Sequence, residues 1–123
     1  MATFTKLALQ PAGTTGTGLG IKVAATSGTG TEIHTGSTTN TTIDEIWLYA
    51  VNASGSAIKL TVQWGGTTAV DNDIELTVQP EAGLVTIAPG LLLQGNSTAR
   101  VVRAFAATAD QIVIYGFVNR ITV

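Results

Sequence analysis

The stretch that most constrains the fold of this chain is residues 43–66, IDEIWLYAVNASGSAIKLTVQWGG. Its second half, residues 58–64, alternates apolar and polar side chains, which is the period of a β-strand with one hydrated face. Its first half differs because apolar side chains fall on both faces: Ile46, Leu48 and Ala50 on one, and Trp47, Tyr49 and Val51 on the other. Small turn-forming residues separate the halves. We therefore predict a β-hairpin whose first strand is covered on both sides, by the core on one side and by a loop, an arm or another subunit on the other.

The rest of the chain repeats the strand signal. Strand-like runs recur about every 8–12 residues, turn residues separate them, and no long stretch has a helical period. Residues 98–107 and 111–122 are predicted to form a second hairpin, whose second strand is again apolar on both faces. Residues 84–88 read as a short strand that ends at Pro89 and Gly90. This pattern predicts an all-β fold: an antiparallel, jelly-roll-like β-sandwich of about eight strands, with a small β-barrel as the alternative.

The length of 123 residues is typical of one domain. We expect residues 1–18 to form an N-terminal arm with a first strand and a flexible loop, and residues 19–123 to form the sandwich. The absence of cysteine excludes a disulfide framework and a cysteine-based metal site. No apolar run resembles a signal peptide or a membrane helix, so we expect synthesis in a cytoplasm and no membrane partner.

Charge is scarce in this sequence. Only 11% of the residues are charged, whereas a typical soluble domain has about 25%. Because charged side chains keep a free surface hydrated, this deficit predicts that much of the surface is hidden in an assembly. The net charge is −2, and no basic patch is present that would predict a nucleic-acid partner.

The sequence contains no arrangement typical of catalysis or cofactor binding. His34 is the only histidine, and no G-x-S-x-G motif accompanies it. The stretch 71–75 lacks the glycine and glutamate spacing of a calcium loop, and the glycines of residues 16–20 lack the P-loop pattern. We therefore predict a protein that is not an enzyme and binds no metal or cofactor.

Contact residues are predicted from the apolar and aromatic side chains. The aromatic residues are interpreted as core or subunit-interface side chains, with a sugar-stacking platform as the alternative. Three consecutive leucines after Gly90 cannot all face inward along one strand, and arginines are common in interfaces because they bind carboxylates. The predicted contact residues are Phe4, Leu7, Leu9, Trp47, Tyr49, Leu91, Leu92, Leu93, Arg103, Tyr115 and Arg120.

Three segments resemble small virion structural proteins of tailed bacteriophages: DEIWLYAVNASGSAIKLTVQWGGTT, GLVTIAPGLLLQG and VRAFAATADQIVIYGFVNRI. Within that group the chain is most similar to β-sandwich capsid decoration, or cement, proteins. The resemblance implies a homotrimer that stands on the capsid surface of the virion, contacts the major capsid protein and stabilises the shell. It assigns no contact residue. A tail, collar or fibre-base component and a carbohydrate-binding module for host attachment are the alternative interpretations.

Overall fold

The computed structural model describes residues 2–13 and 15–123. Strands dominate these residues, and the one helical element among them is a 3-10 turn at Pro11–Gly13. The strands are β1 Thr3–Ala8, β2 Ile21–Lys22, β3 Thr31–Thr35, β4 Thr42–Asn52, β5 Ile58–Trp64, β6 Asp73–Val78, β7 Val85–Gln94, β8 Val101–Ala106 and β9 Ile112–Thr122.

The strands form two antiparallel sheets that are not closed into a barrel. The five-stranded sheet has the order β1-β9-β4-β7, with β2 also paired to β9, and the four-stranded sheet has the order β3-β8-β5-β6. With the two-residue β2 set aside, successive strands change sheet except β5 and β6, which form a hairpin in the four-stranded sheet, and this is the jelly-roll order. The predicted antiparallel sandwich is therefore confirmed, and the barrel alternative is wrong.

Both predicted hairpins are wrong in their pairing. β4 lies in the five-stranded sheet and β5 in the four-stranded sheet, so residues 53–57 carry the chain across the sandwich. The connection between β8 and β9 does the same. The physical reason is that alternation of side chains shows which face of a strand is buried, but not which strand lies beside it.

The two strands with apolar residues on both faces are neighbours of each other. β4 and β9 pair along their whole length, from Thr42 opposite Thr122 to Asn52 opposite Ile112. Gly116 permits this close pairing, because a β-carbon there would lie 2.1 Å from the carbonyl oxygen of Trp47. This long ladder forms the centre of the five-stranded sheet.

β7 is longer than the sequence indicated. It continues through Pro89 and Gly90 to Gln94, and register shifts in its pairing with β4 accommodate the proline. Proline is tolerated here because β7 is an edge strand of its sheet. The three consecutive leucines therefore lie in a strand and not in a loop.

The core lies between the sheets and is built from the inward-facing residues of both. Alternate residues of β4 are buried along its whole length, and the same alternation marks β8. The largest fully buried apolar side chains are Val23, Ile33, Ile46, Leu48, Leu60, Val62, Val78, Val102, Ile112, Ile114 and Val118. The accessible surface of 6290 Å² is close to the roughly 6200 Å² expected for a compact monomer of this mass.

The alternation of apolar and polar side chains in β5 predicts that Lys59, Thr61 and Gln63 face solvent, but part of this face is buried. The side chain of Gln63 accepts a hydrogen bond from the amide of Gly30 and donates one to the carbonyl of Gly28, at 2.8 Å each. Thr61, on the same face, is also buried. The loop before β3 covers this part of the four-stranded sheet, a long-range contact that the local pattern does not reveal.

Candidate interaction surface

The outward side of the five-stranded sheet carries most of the exposed aromatic surface of the chain. In β4 and β9, every second side chain points away from the core and remains partly or fully exposed. We name this surface the aromatic face. It consists of Phe4, Lys6 and Ala8 of β1, Ile43, Glu45, Trp47, Tyr49 and Val51 of β4, Leu92 of β7, and Val113, Tyr115, Phe117, Asn119 and Ile121 of β9.

The centre of the aromatic face is an aromatic stack. The rings of Trp47 and Phe117 lie 5.9 Å apart with their planes 8° from parallel, across the β4–β9 ladder. The ammonium group of Lys6 lies 5.0 Å from the centre of the Phe117 ring, which is a cation–π contact. These contacts hold two large apolar rings in fixed positions at the surface.

Next to this stack, Tyr115 lies opposite Tyr49 and keeps 41% of its surface exposed. Gly20 lies against Tyr115 at close range, because a β-carbon on Gly20 would fall 2.7 Å from the Tyr115 ring and 2.5 Å from a methyl group of Val113. The segment before β2 therefore packs beside the aromatic face without covering it.

Glu45 is the single acidic side chain of the aromatic face. Its Oε1 accepts hydrogen bonds from the side-chain amide of Asn119 and from the indole nitrogen of Trp47, at 3.0 Å each. These hydrogen bonds, that from Asn119 first, lower the pKa of the Glu45 carboxyl below its ordinary value. Glu45 is thus ionised at neutral pH and is held by neutral donors.

The outward side of the four-stranded sheet is different in character. Lys59 and Glu75 form an exposed ion pair at 2.9 Å, and Arg103 lies 3.6 Å from Glu32. Together with the covered side chain of Gln63, these groups give that side a polar, paired surface. Among the described residues, Phe105 is the one aromatic side chain on that side and is half-buried, so the aromatic rings concentrate on the outward side of the five-stranded sheet.

Two carbonyls at the C-terminal end of β7 accept hydrogen bonds from side chains of β5 and of the segment before β8. The indole nitrogen of Trp64 donates to the carbonyl of Leu92 at 3.1 Å, and Arg100 donates to the carbonyl of Gln94 at 2.9 Å. These carbonyls would otherwise be available to another strand. At the other edge of this sheet, four successive residues of β1 are exposed.

A buried polar network links the two sheets. Arg120 donates to both carboxylate oxygens of Asp44, at 2.7 and 2.8 Å, and Nε2 of His34 lies 2.8 Å from Asp44 Oδ2. Nδ1 of His34 accepts from the amide of Gln10 at 3.1 Å, so the imidazole donates to Asp44 through Nε2. His34 and Asp44 are both buried.

Burial alone would raise the pKa of Asp44, but the hydrogen bonds from Arg120 and His34 and the charge of Arg120 outweigh it, and the pKa lies below its ordinary value. The same contact with Asp44 raises the pKa of Arg120. The network connects β3, β4 and β9. Its imidazole and carboxylate are inaccessible, because His34 and Asp44 are buried and both nitrogens of His34 are occupied.

The structure divides the predicted contact residues into two sets. Leu9 and Leu93 are 4% exposed, so their selection as contact residues is wrong: their side chains belong to the core. Arg120 and Arg103 are held by carboxylates within the chain, and Leu7 is half-buried against the core. The remaining predicted residues keep exposed surface: Phe4, Trp47, Tyr49, Leu91, Leu92 and Tyr115.

Several members of the aromatic face were not predicted, among them Lys6, Glu45 and Phe117. The signal was present, since positions 43, 45, 47, 49 and 51 share one side of a strand. The sequence pattern does not show that β9 pairs with β4 and that β1 pairs with β9. These pairings bring the residues of the aromatic face together.

Within residues 2–13 and 15–123, no three acidic, histidine or cysteine side chains lie close enough together to bind a metal ion. Nor does this part of the chain contain a helix with the length and apolarity needed to cross a bilayer. Comparison of the chain with protein-family models, curated proteins and solved structures returned no match.

Proposed function

We propose that this chain is a structural protein of a tailed-phage virion that binds the outside of the capsid shell and stabilises it by protein–protein contacts. The observation that carries the proposal is the difference between the two outward sides of the sandwich. A surface of exposed rings with few charges, next to an ordinary polar surface on the other side, is typical of a protein that functions in contact with another protein.

The likeness to decoration proteins in the three quoted segments supports the phage setting, and the jelly-roll order is compatible with it. Jelly rolls recur in viral capsid proteins and also in lectins, so the fold supports the setting only by analogy. In this proposal the major capsid protein is the partner, and the chain acts as a homo-oligomer, for which the likeness implies three subunits.

The proposed mechanism is mass action. A protein that binds the assembled shell and not its separated subunits stabilises the shell by a free energy that grows with the logarithm of its concentration over its dissociation constant. No catalytic group is needed for this effect. The rigid aromatic stack suits such a role, because side chains that are already ordered lose little entropy on binding.

The test uses virions from the source of this sequence, prepared with and without the gene. We expect particles to form in both cases, hundreds of copies of the chain per wild-type head, and disruption of the heads at a lower temperature when the chain is missing. Absence of the chain from purified virions would overturn the proposal. A handful of copies per particle would instead favour a tail, collar or fibre-base component.

A further inference from the structure

The aromatic face has a regular arrangement around β9. In the first row Phe4, Ile121 and Ile43 lie side by side, and in the third row Ala8, Phe117 and Trp47 do so. The middle row contains Lys6, Asn119 and Glu45, in that order across β1, β9 and β4. Each row therefore has β9 at its centre and one residue on either side.

The middle row has opposite charges at its two ends. Lys6 and Glu45 each lie one strand from Asn119, so they are separated by two strand spacings, roughly 10 Å. Lys6 contacts the ring of Phe117, and Glu45 accepts from Asn119 and Trp47. Within the described part of the chain, neither charge forms a salt bridge.

We propose that the aromatic face binds a second copy of this chain, through a two-fold axis that runs along β9 between the two molecules. The proposal rests on the proposed function only in using the same surface: in solution the second copy covers the face that the capsid protein covers on the virion. A rotation about this axis exchanges the two ends of every row and keeps each row at its own level.

The exchange makes the contact complementary in charge and in size. Lys6 comes to lie opposite Glu45 of the partner subunit, and Glu45 opposite Lys6 of the partner subunit. In the third row the small side chain of Ala8 comes to lie opposite Trp47 of the partner subunit. Opposite charges and a small residue facing a large one are the features by which interfaces fix their orientation.

A two-fold axis across the strands, through the middle row, gives the opposite result. Each residue of that row would then face its own copy, with Lys6 against Lys6 of the partner subunit and Glu45 against Glu45 of the partner subunit. Like charges in contact disfavour that arrangement. The charges therefore select the axis along β9.

The overlap about this axis is sufficient for a specific pair. Because the axis runs along β9, β1 faces β4 of the partner subunit and β7 has no counterpart. Three strands spaced about 4.8 Å apart and eleven residues that each advance about 3.4 Å give an overlap of up to roughly 540 Å² on each subunit. The two subunits together thus bury roughly 1,000 Å², the size from which specific interfaces begin. The contact gives an even number of subunits: two, or six if the three-fold arrangement implied by the likeness is also present.

Charge reversal tests the proposal. Lys6→Glu places two carboxylates in contact across the axis, Glu45→Lys places two ammonium groups in contact, and the double variant restores opposite charges. By sedimentation velocity in low salt, we expect each single variant to weaken association at least about tenfold, and the double variant to recover most of that loss. Circular dichroism melting confirms that each variant is folded.

Lys6→Glu is the cleaner single variant, because Glu45 also accepts hydrogen bonds from Trp47 and Asn119 within its own chain. The matched control is Lys59→Glu with Glu75→Lys, which reverses an exposed pair on the other side of the sandwich and should leave association unchanged. Unchanged association in Lys6→Glu, or no recovery in the double variant, would overturn the two-fold contact. A wild-type chain that is monomeric at about 100 μM but still binds virions would overturn it too, and would leave the proposed function standing.

Discussion

The indole ring of Trp47 and the phenyl ring of Phe117 lie nearly parallel, 5.9 Å apart, on the outward side of the five-stranded sheet. The stack joins the two longest strands of the chain at the middle of their common ladder. Such pairs stabilise a fold by roughly 0.5–1.5 kcal/mol beyond the area that they bury. Here the stack also fixes two rings where solvent, or another protein, can reach them.

Polar substitutions at the edge of the aromatic face should separate binding from stability. Phe4 is 71% exposed and Tyr115 41% exposed, so we expect Phe4→Ser and Tyr115→Ser each to change the free energy of unfolding by no more than about 1 kcal/mol. We expect both to reduce binding to virions that lack the chain, as measured by co-sedimentation.

Val70→Ser is the matched control for this pair of variants, because Val70 is 85% exposed in the connection between β5 and β6, in the other sheet. Binding reduced as strongly by Val70→Ser as by Tyr115→Ser would show that the effect is not specific to the aromatic face.

Gly116→Ala should destabilise the protein strongly. A β-carbon at this position would lie 2.1 Å from the carbonyl oxygen of Trp47, so β4 and β9 would have to move apart. We expect a loss of about 3 kcal/mol in urea denaturation, at the upper end of overpacking effects. Gly55→Ala is the control, because a β-carbon on Gly55 meets no atom within 4 Å. Equal stability of the two variants would contradict the close approach described here.

Arg120→Ala should cost far more stability than removal of an exposed cation. It leaves the buried carboxylate of Asp44 with only His34 as a side-chain partner, and breaking a buried pair costs about 3 kcal/mol. Lys59→Ala removes half of an ion pair whose side chains are more than half exposed, and we expect a cost of about 0.5 kcal/mol. Chemical denaturation of both variants measures the difference.

Acid should destabilise the fold through the same network. The pKa of Asp44 is lower in the folded chain than in the unfolded one, so the unfolded state binds more protons. The stability contributed by Asp44 is therefore complete above the unfolded pKa and is lost as the pH falls below about 4 toward the folded pKa. We expect the urea midpoint of the wild type to fall over this range and that of Asp44→Asn to fall less.

Asp44 and Glu45 both have lowered pKa values, and the variant Glu45→Gln shows which of the two carboxyl groups causes the loss of stability in acid. If Glu45→Gln removes the acid dependence and Asp44→Asn leaves it intact, the assignment to the buried network is wrong.

The sequence was sufficient to predict the class of fold and the faces of its central strands. The alternation of Ile46, Leu48 and Ala50 with Trp47 and Tyr49 correctly showed a strand with apolar residues on both sides, because side chains in a strand change sides at every residue. The sequence could not show that β4 pairs with β9, which lies about 70 residues away. That pairing depends on how the two sheets pack and not on a local pattern.

The candidate surface was predictable only in part for the same reason. The exposed rings of Tyr115 and Phe4 were selected because aromatic side chains are common in interfaces. Leu9 and Leu93 were selected because they are apolar, but their side chains are buried in the core. Lys6 belongs to the aromatic face only because β1 pairs with β9, and a local sequence pattern does not reveal such a long-range contact.

The closure of β7 by Trp64 and Arg100 has a consequence for growth of the five-stranded sheet. Because the carbonyls of Leu92 and Gln94 already accept hydrogen bonds, a strand of another molecule would have to displace Trp64 and Arg100 before it could pair with this end of β7. Edge-to-edge association through β7 is therefore disfavoured, and with it the growth of an extended ribbon along this sheet.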